Sequence, residues 1–116
     1  MTLDFDALAS HQTIDITTFG RRTGRPRRIE IWWFRVDGRF VITGTPGKRD
    51  WLANLKADPR LIVHVGGRDL EAAASPVDDV VFRRRVFTRP QTSWYTSEAE
   101  LDHLVATAPM VEIHFD

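Results

Sequence analysis

The chain has 116 residues, 42% apolar and 28% charged, with sixteen Lys plus Arg balanced by sixteen Asp plus Glu. That length suits one domain with its own core and excludes two, and zero net charge removes the global field that gathers nucleic acid. The absence of cysteine excludes disulfides, thiolate catalysis and cysteine-held zinc.

Gln12–Phe19 is rich in β-branched residues, and its alternation sets Ile14 and Ile16 on one face of a strand. Residues 20–28, with Gly24 and Pro26, read as a turn or wide hairpin loop. Ile29–Val36, Asp37-Gly38 and Arg39–Gly44 form a strong hairpin pattern, because Asp-Gly suits a tight turn between β-like runs. Thr45-Pro46-Gly47 breaks it, and the spacing of Trp51, Leu52 and Leu55 predicts a short helix over Lys48–Ala57, stopped by Asp58-Pro59. Leu61–Val65 and Asp69–Ala74 read as strands around a Gly66-Gly67 turn. Asp78–Thr88 reads as a helix. Ser97-Glu98-Ala99-Glu100 has the form of a capping box, predicting a second helix from about Glu98 to Thr107. Met110–Phe115 closes the pattern as a strand.

Six short strands joined mainly by hairpins predict a mainly β (α+β) fold, an antiparallel sheet curled into a barrel with flanking helices. Ile29–Val36 is apolar on both faces, so one face fills the barrel and the other needs a helix, a cofactor or a second subunit. A homodimer is the expected cover. No apolar run approaches the roughly 20 residues of a membrane span. Residues 1–10 carry two aspartates rather than the basic and apolar regions of a secretory signal. A cytoplasmic location is expected.

Two segments carry charge suited to a compact anion. Thr45-Pro46-Gly47-Lys48-Arg49 stands where a strand yields to a helix, whose unsatisfied first N–H groups attract negative charge. Arg21, Arg22, Arg25, Arg27 and Arg28 crowd eight positions and repel one another unless they face water or share an anion. The arginine fork matches phosphate and carboxylate. A solvated hairpin tip is the plainer reading of this second run, and a nucleic-acid contact is a minority one. Trp51 and Asn54 share a helix face, where Trp51 is more often core. His11, His64, His103 and His114 lack metal-ligand spacing, so no metal site is expected. Tyr95, the single tyrosine, lies beside Trp94 in an expected loop and is a candidate proton donor or an exposed plug.

In order, Gly20-Arg21-Arg22-Thr23-Gly24-Arg25-Pro26-Arg27-Arg28, the Trp-rich strand, Gly44-Thr45-Pro46-Gly47-Lys48-Arg49 and Trp51-Leu52-Ala53-Asn54-Leu55 resemble the deazaflavin-dependent nitroreductase family of split β-barrel flavin and deazaflavin oxidoreductases. The likeness spans roughly residues 12–66. It implies a six-stranded, FMN-binding-like split β-barrel homodimer that binds the deazaflavin coenzyme F-420, with FMN as the nearest alternative. Carried over, Arg21, Arg22 and Arg27 match loop positions on the coenzyme's phosphate side. Thr45, Gly47, Lys48 and Arg49 match the glycine-rich turn, and Trp51 and Asn54 stand behind it. Glu30, Ile31 and Trp32 fall where the strand passes the ring system. Two features depart from the family pattern: the turn lacks the longer insert ending in proline, and Glu30-Ile31 replaces Pro-Leu. The resemblance implies hydride transfer between F-420 and a small conjugated acceptor, with water or Tyr95 supplying a proton. A non-catalytic cofactor binder and an FMN enzyme are the alternatives.

Overall fold

The computed structural model describes residues 3–116. A short helix α1 (Phe5–Ala9) precedes strands β1 (Thr13–Phe19), β2 (Pro26–Val36) and β3 (Arg39–Thr43). Helix α2 (Asp50–Ala57), strands β4 (Arg60–Val65) and β5 (Arg68–Pro76) and helix α3 (Val80–Phe87) follow. A single 3-10 turn (Pro90–Thr92), helices α4 (Ser93–Glu98) and α5 (Leu101–Thr107) and strand β6 (Met110–Phe115) complete the order. The strands close into a barrel in the order β1-β2-β3-β6-β5-β4, with every neighbouring pair antiparallel. The expected six-stranded antiparallel barrel is present.

Register follows side-chain parity. Ile14 lies opposite Ile31 and Ile16 opposite Ile29, so the two strands send the same apolar set inward. Trp33, Ile42, Val63, Ala72 and Ile113 join that interior. Both tight hairpins rest on left-handed residues: Asp37 and Gly38 at φ 52° and 77°, Gly66 and Gly67 at 58° and 74°. Paired positive φ values match the twist of the flanking strands.

The sequence offered no helix before residue 12, yet α1 contributes to the barrel core. Asp4 caps it by accepting from Ala7 N–H at 3.1 Å, Leu8 is buried with the interior cluster, and the Phe5 ring meets Phe40 and Phe115. One turn of helix shows too little periodicity to be read from sequence.

Three further expectations need correction. β2 begins at Pro26 rather than Ile29, so Arg27 and Arg28 are strand residues opposite Thr18 and Thr17. The capping box does not form: Ser97 lies within α4 and its Oγ donates to Trp94 O. Extended backbone at Ala99 (φ −153°, ψ 155°) then separates α4 from α5, whose N-cap Glu100 makes no side-chain cap bond. Tyr95 consequently sits on a helix and is buried, neither in a loop nor exposed.

The second face of β2 is largely covered by the chain itself. Phe34, Val36, Val41 and Met110 pack against Phe82, Val86, Phe87, Tyr95 and Leu104 in a separate cluster. Trp32, 41% exposed, is the large apolar residue of that face left open, and it meets the half-exposed Trp94 at 6.4 Å between ring centroids.

Candidate anion site

Inward parity on β1 continues from Ile14 and Ile16 to Thr18, which is buried at the strand's end. The β1–β2 connection then closes tightly. Gly20 N–H donates to Arg25 O, and Gly24 N–H to Gly20 O, each at 2.8 Å. Gly24 has φ +72°, a conformation glycine adopts without steric cost.

This hairpin leans on α2 through one side chain. Arg21 donates to Asn54 Oδ1 from its backbone N at 3.2 Å and from Nη1 at 3.0 Å. Asn54 Nδ2 donates to Thr18 Oγ1 at 3.4 Å. Asn54 is buried, so its amide joins loop, strand and helix where unpaired polar groups would be costly. Arg21 also approaches Asp50 at 3.6 Å.

Hairpin and helix bound a cleft of about 430 Å³ lined by Arg21, Arg22 and Arg27, by Thr18, Gly20, Thr23 and Ile29, and by Asp50, Trp51 and Asn54 of α2. Three guanidinium groups face one carboxylate. Arg22 and Arg27 are exposed, and neither guanidinium has a hydrogen-bond or ion-pair partner among the described residues. Two neighbours are committed elsewhere: Arg21 to Asn54 and Asp50, and Arg28 to Asp15 at 2.8 Å. A phosphate-sized anion fits this donor set, and the Trp51 ring offers an apolar wall beside it.

The glycine-rich turn occupies a different position. Arg49, directly before α2, folds back so that Nη2 donates to Thr45 O at 2.8 Å and Thr45 Oγ1 at 3.0 Å, while Nη1 donates to Lys48 O at 3.1 Å. Gly47 has φ +139°, and a Cβ there would meet Arg49 Nη1 at 2.9 Å; glycine is what lets the guanidinium close the turn. The Lys48 side chain is exposed and has no hydrogen-bond or ion-pair partner among the described residues. Arg21, Arg22, Arg27, Trp51 and Asn54 gather at one cleft, whereas Thr45, Gly47, Lys48 and Arg49 form a turn outside its lining.

On β2 the cleft takes Ile29 rather than Glu30, Ile31 or Trp32. Ile31 packs on the barrel interior, Glu30 lies opposite Asp15 on the outer face, and Trp32 pairs with Trp94. Tyr95 stands in the second cluster, edge-on to Phe34, Phe87 and Trp94. Burial raises its hydroxyl pKa, and the charge of Arg49 opposes that shift. Thr18 and Asp50 were missed by sequence reasoning although their signals exist. Thr18 shares parity with Ile14 and Ile16, and Asp50 shares a helix face with Asn54 at i, i+4.

Residues 6–102 match the family model described as F420H(2)-dependent quinone reductase. Among solved structures, an F420-H2 dependent reductase is 17% identical, with 90% of this chain and 95% of that one covered at a TM-score of 0.65. A structure described as a domain-swapped dimer is 18% identical over 90% of this chain and 81% of that one, at 0.66. A FAD-binding protein from Mesorhizobium loti is 17% identical over 97% and 86%, at 0.65. At these identities the structural likenesses establish the split-barrel fold.

Proposed function

This chain belongs to the F420H(2)-dependent quinone reductase family, and we propose that its arginine cleft holds the phosphate-bearing side of F-420 during reduction of a small conjugated acceptor. The protein is an F-420-dependent oxidoreductase. The observation that carries the site assignment is the convergence of Arg21, Arg22 and Arg27 on one cleft beside Trp51, with Arg22 and Arg27 free of protein partners among the described residues.

When bound, the reduced coenzyme supplies a hydride equivalent, and one proton completes a two-electron reduction of a quinone-like acceptor. The residues divide the remaining work. Arg22 and Arg27 contribute charge-assisted hydrogen bonds to phosphate oxygens. Arg21 orients the hairpin through Asn54. Thr45, Gly47 and Arg49 hold the turn rigid, leaving Lys48 to add positive charge from outside the cleft. Trp51 excludes water from one wall. Trp32 presents an aromatic face on β2, with Glu30 and Ile31 as flanking strand positions. Tyr95 keeps its proton on Oη across neutral pH because burial disfavours the phenolate.

A homodimer belongs to the same proposal. Trp32 and Trp94 remain exposed after the helical layer is in place, and a similar structure is described as a domain-swapped dimer. Among the described residues no helix is long and apolar enough to cross a membrane.

The test is titration of the purified protein with F-420 and with FMN, followed by tryptophan fluorescence, then oxidation of reduced F-420 by menadione followed by absorbance. Selective F-420 binding with menadione-dependent oxidation supports the proposal. Preferential FMN binding overturns the cofactor reading of the cleft, and F-420 binding without turnover by menadione or a nitroaromatic makes the chain a cofactor carrier.

A further inference from the structure

A second cleft, of about 290 Å³, opens on another face of α2 and shares no lining residue with the first. Leu52 and Lys56 supply its α2 side, Val77 and Val80 come from the β5–α3 junction, and Val105 and Pro109 from α5 and the approach to β6. Its lining also includes Arg83, a cation 8% exposed.

Arg83 is held by carbonyl groups alone. Nε donates to Val105 O at 2.6 Å, Nη1 to Val77 O at 2.8 Å and Nη2 to Ala108 O at 2.5 Å. A guanidinium has five N–H donors, so each terminal nitrogen retains one N–H beyond these bonds. No carboxylate lies within ion-pair distance of Arg83 among the described residues. Asp78, the lone acid of the lining, acts on it only across a longer distance. Lys56, at the rim, is likewise without a partner among the described residues. Carbonyl dipoles orient a buried cation without cancelling its charge, and an uncompensated buried charge is costly. Two cations, one acid and mostly aliphatic walls thus face a space suited to a small molecule.

We propose that this cleft binds a small amphiphilic carboxylate, with its anionic head directed to Arg83 and Lys56 and its apolar body against Leu52, Val77 and Val80. A monoanion matches the excess of one positive charge, while Asp78 and the aliphatic walls disfavour a compact, strongly hydrated dianion such as phosphate. The site shares no lining residue with the cofactor cleft, although Gly47 of the glycine-rich turn lines it, and it goes beyond the proposed reaction.

The test is an amide-resolved NMR titration of the full chain with benzoate, using benzamide as the neutral isostere and inorganic phosphate as the compact anion. Benzoate is expected to shift the amides of Lys56, Val77 and residues 105–108 saturably, in roughly the millimolar range. Benzamide is expected to bind at least about tenfold more weakly, and Lys56→Gln to weaken benzoate by about threefold or more. The Lys56→Gln variant keeps the test decisive even where Arg83→Met fails to fold, since that substitution removes three carbonyl bonds. Equal binding of benzoate and benzamide overturns the proposal. So do preferential phosphate binding, absence of saturable shifts, shifts confined to residues 20–27, or unchanged benzoate affinity in Lys56→Gln. Because benzoate is read directly, failure here leaves the F-420 titration untouched.

Discussion

Replacing both Arg22 and Arg27 with alanine separates binding from folding more cleanly than any other change in the site. Both side chains line the cleft, are exposed and have no protein partner among the described residues, so truncation removes charge without removing an internal bond. A hydrogen bond to a charged group contributes about 1.5–3 kcal/mol, and solvent exposure places these two at the lower end. About 1.4 kcal/mol each corresponds to tenfold in affinity, hence roughly a hundredfold for the pair if the effects add. Stability is expected to change by less than about 0.5 kcal/mol, as for surface positions without special roles. Fluorescence titration with F-420 reads the first quantity and urea unfolding the second. Arg49→Ala provides the contrast, because it breaks the bonds to Thr45 and acts first on the turn. Wild-type affinity in Arg22→Ala/Arg27→Ala, or a larger affinity loss in Arg49→Ala than in that pair, refutes the division of labour drawn from the cleft.

Gly47→Ala is expected to lower unfolding free energy by about 1–3 kcal/mol, the range for backbone strain, because its φ is +139°; denaturant unfolding checks it. Leu8→Ala is expected to cost about 2–5 kcal/mol, since Leu8 belongs to the barrel core, and a loss below about 1 kcal/mol would show that α1 is not part of that core. Tyr95 has a raised pKa through burial. The stability this brings is fully present below the ordinary tyrosine value near 10 and is lost as pH rises through the higher folded value. Urea unfolding across that alkaline window should show the loss in the native chain and its reduction in Tyr95→Phe.

Glu30-Ile31-Trp32 shows how a correct strand can still leave its roles undecided. Its alternation is plain in sequence, and the observed pairing of Ile14 with Ile31 and Asp15 with Glu30 follows from it. What lies beyond each face is a question of packing. A helix, a cofactor or a second subunit was expected to cover the outer face, with a homodimer favoured; within the chain three helices cover Phe34 and Val36 and leave Trp32. The division of residues 97–107 was illegible for a related reason. Ser-x-x-Glu favours a cap locally, but Tyr95 packs against Phe34 and Phe87 instead, so Ser97 completes α4 rather than starting α5.

Sequence alone determined the six-stranded pattern, the Asp37-Gly38 and Gly66-Gly67 turns and the two basic, glycine-bearing segments, because parity, turn chemistry and local charge are short-range properties. Only the tertiary structure decided which arginines remain available to a ligand. Arg21, Arg28 and Arg49 are occupied by Asn54 and Asp50, by Asp15 and by Thr45, whereas Arg83, though bonded to the carbonyls of Val77, Val105 and Ala108, keeps one N–H on each terminal nitrogen. An arginine carries the same charge in all these places. Its partners come from segments that meet only when the barrel closes, and they decide whether that charge holds the fold together or remains open to an anion.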